Sequence, residues 1–252
     1  MGNAFKVLVK TFKDLWGEMF LLVLMNLLTL VCVSPTLILV VCAVYSLVTP
    51  ELSSILVPLV VFAAVWPFGS IAMLALYHVT NRVANDYAIS WDTYWNAFKT
   101  YFKKAWLFNL FAHFVSIAIP INALWYPRMF GSQTWVAWVQ GAWLALGLFW
   151  CAISFYVMAF FAEQEAKRWR TALRNSAVIA AANPLFTLTL LLIAGLLIGL
   201  SLLLTPVFIL LGLALWAMFG SEAVVNRVNA FRERAKAEAA QAATSVQRPE
   251  GA

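Results

Sequence analysis

The sequence contains few side chains that could carry out chemistry. Among its 252 residues are two histidines and three cysteines, and these form no Cys/His cluster at metal-ligand spacing. The sequence has no glycine-rich phosphate loop, and no pair of acids lies within an apolar segment. We therefore predict no catalytic residues, no metal site and no cofactor.

His113 has the clearest potential for chemistry. It lies nine residues after Lys104, which is about 13.5 Å along a helix and near the middle of a roughly 30 Å bilayer core. An ionisable side chain at that depth suggests a substrate or proton site, and Asn109 lies one turn before it. The alternative, which we favour, is a neutral imidazole bonded to another helix through Asn26 or Gln140. These four residues are the candidate polar positions within the membrane.

The composition indicates that lipid surrounds most of this chain. Apolar residues make up 63% and charged residues 11%, against about 45–50% and about 25% in soluble domains. A chain of this size has too little interior to bury so much apolar surface. The net charge of +6 would suggest nucleic acid as the partner of a soluble protein. In a lipid environment, basic loops that orient membrane helices explain it better, so we expect no nucleic-acid partner.

A spanning helix needs about 20 apolar residues, and five uncharged segments are long enough: 19–50, 52–81, 105–127, 129–162 and 175–221. The first four predict one span each. As a single helix the fifth would run roughly 70 Å. Asn183-Pro184 and Thr205-Pro206 divide it, which predicts two short spans at about 185–203 and 207–225. Six spans result, and five are the alternative.

The basic residues favour six spans. With both termini inside, six spans place every lysine and arginine except Arg128 in the cytoplasm. Five spans would move the basic residues after position 225 to the outside. Because cytoplasmic loops carry an excess of Lys and Arg, we predict six spans with both termini cytoplasmic.

A basic amphipathic stretch precedes each odd-numbered span and predicts a helix lying in the membrane interface, an elbow helix. The apolar faces are Phe5, Val9, Phe12 and Trp16 in the first; Trp91, Trp95, Phe98, Phe102 and Trp106 in the second; and Trp169 and Leu173 in the third. The interfacial basic residues of the second and third are Lys99, Lys103, Lys104, Arg170 and Arg174. The predicted fold is all-α, with six transmembrane helices as three hairpins, each preceded by a basic elbow helix. Residues 1–235 form a single helical membrane domain, and 236–252 are predicted to be a disordered cytoplasmic tail.

Two further patterns concern helix packing. Pro35 and Pro67 lie within predicted spans 1 and 2, where each would free a backbone carbonyl. A kink in a packed bundle and a broken helix at a transport site share this signature, and we favour the kink. Gly195 and Gly199 form the small-xxx-small pattern, which predicts a close approach of helix backbones.

Several short motifs occur along the chain in a recognisable order. They are Asn26-Leu27-Leu28, Pro67-Phe68-Gly69-Ser70-Ile71-Ala72, Leu76-Tyr77, Trp91, Tyr94-Trp95, Phe98-Lys99, Phe102-Lys103-Lys104-Ala105, Leu173-Arg174-Asn175-Ser176 and Asn183-Pro184. This order resembles the YesL-like family of bacterial integral membrane proteins, whose domain has no known function. The chain departs from the family at Phe68-Gly69-Ser70, where Gly-Pro-Ala is usual, and in extra length at about 38–60.

The resemblance implies a polytopic helical protein of the bacterial inner membrane, from a family often encoded near sugar-uptake ABC transporters. It brings no active site, so none is assigned to this chain. It implies an ABC transporter permease, or another membrane protein, as a partner.

Three functions compete. An accessory or scaffold protein tied to carbohydrate uptake agrees with the lack of catalytic groups and with the basic elbows. A sugar transporter or facilitator would need a hydrated cavity, lined by Asn26, Asn109, His113, Pro35 and Pro67. An intramembrane enzyme is disfavoured because no nucleophile–base pair or metal set is found. We predict a non-enzymatic accessory protein, with the transporter as the alternative.

Overall fold

The computed structural model describes residues 2–46, 66–131 and 133–246. Within these ranges all regular structure is helical, which confirms the all-α prediction. In chain order the helices are α1 (Gly2–Gly17), α2 (Met19–Ser46), α3 (Pro67–Ala84), α4 (Trp91–Phe130), α5 (Thr134–Glu163), α6 (Trp169–Ala182), α7 (Pro184–Leu203), α8 (Thr205–Val207), a π-helical turn (Phe208–Gly212) and α9 (Leu213–Val246).

Five stretches of the described residues are helical, long and apolar enough to cross a bilayer: Met19–Thr36, α4, α5, α7 and Thr205–Gln241. They coincide with predicted spans 1, 3, 4, 5 and 6, and they indicate a protein embedded in a membrane. Residues 52–65 of predicted span 2, within 52–81, lie outside the described residues. Its described end is α3.

The long uncharged segment at 175–221 contains separate helices, as predicted. Asn183 ends α6 with φ −135° and ψ 61°, and Pro184 is the first residue of α7. Leu204, with φ −98° and ψ 70°, ends α7, and Pro206 lies in the first turn of the next helix. Proline is tolerated in a first turn because its missing N–H has no intrahelical partner there. A single helix through this segment is therefore excluded.

Helix α3 lies at the centre of the bundle, against α2, α4, α5 and α9. Its buried residues run round the whole helix, from Ile71 to Val83. A helix with buried residues around most of its circumference is typical of a bundle interior. Its neighbours contribute large buried side chains, including Tyr156 of α5 and Phe219 of α9.

Glycine provides close packing at a position different from the predicted one. A Cβ atom at Gly195 or Gly199 would meet nothing within 4 Å, so the predicted close approach is not found among the described residues. A Cβ atom on Gly69 would lie 3.3 Å from the Cys32 carbonyl oxygen and 3.4 Å from the Val33 Cα. The absence of a side chain at Gly69 therefore lets α3 lie directly against the backbone of α2.

The two prolines differ in their effects. Pro67 is the first residue of α3, so it begins that helix, and residues 47–65, on which a kink there depends, lie outside the described residues. Pro35 lies inside α2, as predicted. The hydroxyl of Ser34 donates to the Val31 carbonyl at 2.9 Å, which is the carbonyl that Pro35 leaves without its usual donor.

Helix α1 is a separate helix with a buried face and an exposed apolar face. Ala4, Val7, Thr11 and Leu15 are buried against the bundle. The predicted apolar face of Phe5, Val9, Phe12 and Trp16 is exposed, with Trp16 at 74%. An exposed aromatic stripe on a helix packed against membrane spans is typical of contact with lipid.

The second predicted elbow is not a separate helix. Residues 91–104 and span 3 form the single 40-residue α4, about 60 Å long. No glycine or proline lies between Trp91 and Pro120, so nothing in the sequence ends the helix between elbow and span. Its inward face is Tyr94, Ala97, Ala105 and Phe108, which lies beside the predicted stripe and not on it.

The third elbow, α6, is fixed by its tryptophan. The Trp169 ring is stacked between Phe108 of α4 and Phe161 of α5, with centroid separations of 3.9 Å to each. Its indole Nε1 donates to the Lys104 carbonyl at 2.8 Å. The residue predicted to face the membrane interface instead packs α6 against two spans.

The last helix extends into the predicted tail, 236–252. Helix α9 continues to Val246, so residues 236–246 are helical, and 247–252 lie outside the described residues. The segment is rich in Ala, Glu, Lys and Gln, which favour helix. Because it extends an already formed helix, it needs no new nucleation.

Candidate functional site

The basic segments of the chain meet at one end of the bundle. We call this the charged end and define it by Lys10, Ala84, Glu163, Lys167 and Glu222. The Lys10 ammonium donates to the Glu222 carboxylate at 2.8 Å and to the Ala84 carbonyl at 2.9 Å. The Lys104 ammonium donates to the Lys167 carbonyl at 3.4 Å. The first elbow, the α3–α4 loop, the α5–α6 loop and α9 therefore lie together.

A buried carboxylate lies at this end of the bundle. Glu222 is 1% exposed and lies within the candidate span Thr205–Gln241, one residue beyond the uncharged segment that defines this span. Its partner Lys10 also pairs with Asp14 at 2.9 Å. Burial acts against the charge on the Lys10 ammonium, but hydrogen bonds to Asp14 and Glu222 outweigh it and raise the pKa above its usual value of 10.5. This ion cluster fastens α1 to α3 and α9.

A second polar network joins α3, α5 and α9 at the same end. The Glu163 carboxylate accepts hydrogen bonds from the Asn81 and Asn85 amides, each at 3.0 Å. It also pairs with Arg232 at 3.4 Å. Since the Glu163 side chain is mostly buried, these partners offset the desolvation of its charge.

Asn26 is fully buried, and its side chain bonds to the backbone of a neighbouring helix. Its amide nitrogen donates to the Ile209 carbonyl at 2.7 Å, and its amide oxygen accepts from the Ala214 backbone N–H at 2.8 Å. These two backbone groups are five residues apart, the spacing that a π-helical hydrogen bond would join. The Asn26 side chain thus satisfies both backbone groups at the irregular turn.

His113 is bonded within its own helix. Its Nδ1 lies 2.9 Å from the Asn109 carbonyl oxygen, one turn earlier on α4, and the side chain is half-buried. The expected partners are Asn26 or Gln140 on another helix; the Asn26 amide instead bonds to the π-helical turn. Asn109 is buried and Gln140 is half-buried on α5.

The predicted interfacial basic residues are on the surface. All five side chains are exposed: Lys99, Lys103, Lys104, Arg170 and Arg174. Lys99 and Lys103 follow the polar face of α4 that begins at Asp92 and Asn96. Their exposure agrees with a role in contacts outside the chain.

An open polar groove of about 300 Å³ lies between the end of α3 and the start of α4. We call it the α3–α4 groove. Its lining residues are mostly hydrogen-bonding side chains: His78, Arg82, Ser90, Asp92, Thr93, Asn96, Ala97, Thr100 and Tyr101. The groove thus offers one guanidinium, one imidazole, one carboxylate, one amide and several hydroxyls.

Local structure fixes the groove on both sides. Ser90 and Thr93 form a capping box at the start of α4, with the two hydroxyls 3.2 Å apart. The Arg82 guanidinium donates to the Ala88 carbonyl at 3.3 Å and lies over the Tyr87 ring, 5.4 Å from its centroid. The loop between the helices therefore holds the guanidinium in place.

Two nitrogen atoms at the groove are buried without a partner among the described residues. They are Nδ1 of His78 and Nε of Arg82. The His78 ring lies 5.7 Å from that of Tyr101, between centroids. A buried polar atom that makes no hydrogen bond costs about 1–3 kcal/mol. The Arg82 Nε–H therefore needs an acceptor, and the His78 Nδ1 needs an acceptor or a donor according to the tautomer of the ring.

Sequence reasoning missed this groove, although the sequence contains a signal. His78 and Arg82 are four residues apart on α3, and Asp92, Asn96 and Thr100 repeat at four-residue intervals on α4. This spacing places each set on one helix face. The two sets could not be paired from the sequence, because the polar face of α4 was assigned to solvent.

Among the described residues, no group of three His, Cys, Asp or Glu side chains could hold a metal ion. Comparison with family models, with curated proteins and with solved structures found no match. The resemblance to the YesL-like family therefore stays a proposal.

Proposed function

We propose that this chain is an integral membrane accessory protein, which binds other membrane components at its charged end and turns over no substrate. The observation that carries the proposal is the position of the α3–α4 groove. It is open, polar and formed at the helix ends. Within the spans, by contrast, Asn26, Asn122 and His113 are each bonded to backbone groups.

The proposed topology has six spans with both termini in the cytoplasm. Lys10 of α1 contacts Glu222 of α9, so the chain enters and leaves the bundle at the same end. An even number of crossings satisfies this, and the five candidate spans leave one crossing for the segment within 52–81. The positive-inside rule then assigns the charged end to the cytoplasm.

The proposed location is the bacterial inner membrane, and the proposed partner is the permease of an ABC transporter for carbohydrate. Both come from the resemblance to the YesL-like family. The exposed basic residues of α4 and α6 support contact with anionic lipid headgroups or with an acidic partner surface at the charged end.

Co-purification from native membranes tests the accessory role. We expect an ABC permease to accompany the wild-type chain and the variant Arg128→Gln, which alters an exposed arginine outside the groove and away from the charged end. We expect Arg82→Gln to lose it. A chain that purifies alone under gentle solubilisation, or equal recovery of the partner with both variants, would contradict the proposal.

A second candidate function is a small-molecule transporter or facilitator. The observation that favours it is the irregular backbone at Leu204, between two candidate spans, and at Phe208–Gly212, within the second of them and beside Asn26. Transporters use broken helices of this kind at binding sites, and π-helical turns are frequent at functional sites.

Uptake in liposomes tests this candidate. Purified protein is reconstituted alone, and entry of labelled mono- and oligosaccharides is followed. Saturable uptake that is lost on changing Asn109 and His113 would replace the accessory function with transport. Under the accessory proposal, these liposomes take up no more sugar than empty ones.

A further inference from the structure

We infer that the α3–α4 groove binds a phosphate ester whose alcohol part carries hydroxyl or ammonium groups. The inference rests on the proposed function, since it names the class of ligand for the same groove. It depends on the unequal distribution of charge along the groove.

One side of the groove favours an anion. Arg82 and His78 lie on one face of α3 and line this side of the groove. Each of the two α3 side chains has a buried nitrogen without a partner among the described residues. The start of α4 adds the positive end of a 40-residue helix.

Phosphate suits this side of the groove better than a less charged group. A guanidinium presents several donors in a fixed plane, which matches the oxygens of a phosphate. The Ala88 carbonyl and the Tyr87 ring hold the Arg82 guanidinium in position, so little side-chain freedom is lost on binding.

The other side of the groove excludes a simple anion. Asp92, Asn96 and Thr100 lie one turn apart on α4 and face the same groove. The Asp92 carboxylate repels an isolated anion but accepts hydrogen bonds from hydroxyl or ammonium groups. A ligand that satisfies both sides therefore carries an anionic group at one end and donors at the other.

The size of the groove limits the ligand. A volume of about 300 Å³ is at the lower end of the range for small-molecule sites. It accommodates a phosphate with a short polyol or amino alcohol. Two sources have this chemistry: a lipid headgroup, such as phosphatidylglycerol or phosphatidylethanolamine, and a soluble ester, such as glycerol 3-phosphate.

The test measures the binding of ligands from both sources to the purified full-length chain. In the lipid arm, native mass spectrometry compares retention of phosphatidylglycerol, phosphatidylethanolamine and phosphatidylcholine. Phosphatidylcholine is the matched control, because its headgroup has a phosphate but no N–H or O–H donor. In the soluble arm, calorimetry compares glycerol 3-phosphate with inorganic phosphate and with glycerol.

We expect one arm to show binding that requires both the phosphate and the donors. Arg82→Gln should weaken it about tenfold or more, since it removes a charge-assisted hydrogen bond. Asn96→Leu, at an exposed position, should also weaken it, and Arg128→Gln, at an exposed arginine outside the groove, should leave it unchanged. Phosphatidylcholine or inorganic phosphate binding equally well would overturn the inference. So would no binding in either arm, or equal effects of Arg128→Gln and Arg82→Gln.

The same preparations separate this inference from the proposed function. Recovery of a membrane partner without phosphate-ester binding would contradict the inference and would still support the accessory role. Phosphate-ester binding without any partner removes the accessory role and leaves the groove as a ligand site.

Discussion

Replacing Asn26 with leucine should destabilise the bundle, because the asparagine amide satisfies two backbone groups of another helix. Leucine has a similar volume and no polar atoms. It would leave the Ile209 carbonyl and the Ala214 N–H, now bonded at 2.7 and 2.8 Å, without their partner. Asn26 is 0% exposed, so bulk water cannot replace the amide.

The magnitude follows from the two hydrogen bonds. A buried backbone group left unpaired costs about 1–3 kcal/mol, whereas polar contacts between membrane helices average about 0.6 kcal/mol and reach about 1.7. Two such losses give about 1–3 kcal/mol. For a chain of this size, 1 kcal/mol lowers the Tm by about 2–4 °C, so we expect a decrease of about 2–12 °C.

The assay is thermal unfolding in detergent, followed by circular dichroism. Asn122→Leu is the control, because the Asn122 amide bonds only to the Ala118 carbonyl of its own helix among the contacts described. Hydrogen exchange at the Ala214 amide should also become faster in Asn26→Leu. A Tm no lower than that of Asn122→Leu, with unchanged exchange at Ala214, would refute the reasoning.

Three other substitutions test the packing. Lys10→Met should lower the free energy of unfolding by about 1–2 kcal/mol and expose α1 to proteolysis. The loss is smaller than for a fully buried ion pair because the ammonium is partly exposed. Lys6→Met, at an exposed position, should have no measurable effect. Gly69→Val should cost about 1–3 kcal/mol by thermal unfolding, since its Cβ would press on the backbone of α2. Trp169→Ala should cost about 3 kcal/mol, because two stacked rings lose their partner, whereas Trp138→Ala at a 78% exposed position should leave the Tm unchanged.

Charge distribution predicted the helical architecture well. Uncharged segments correspond to the candidate spans, and Asn183-Pro184 and Thr205-Pro206 mark the helix ends in the long segment. These features are local, since span length follows from bilayer thickness and helix ends follow from proline geometry. The joining of elbow and span in α4 was missed because an amphipathic pattern does not indicate whether the helix continues into the next segment.

The candidate site depends on contacts between distant parts of the chain, so the sequence did not predict it. Lys10 and Glu222 are 212 residues apart, and no spacing rule connects them. To predict the groove, one would need to know that His78 and Arg82 on α3 face Asp92 and Asn96 on α4. The orientation of one helix about its axis relative to another is set by packing.

Site-specific photocrosslinking in native membranes tests the central claim most directly. A photoreactive amino acid replaces Asn96 in the groove and, in a separate variant, Trp138, which is 78% exposed on α5. The account predicts that the Asn96 position forms a discrete adduct with an ABC permease, identified by mass spectrometry, and that the Trp138 position does not. Adducts of equal yield at both positions, or no protein adduct at the Asn96 position, would contradict binding of a membrane partner at the charged end.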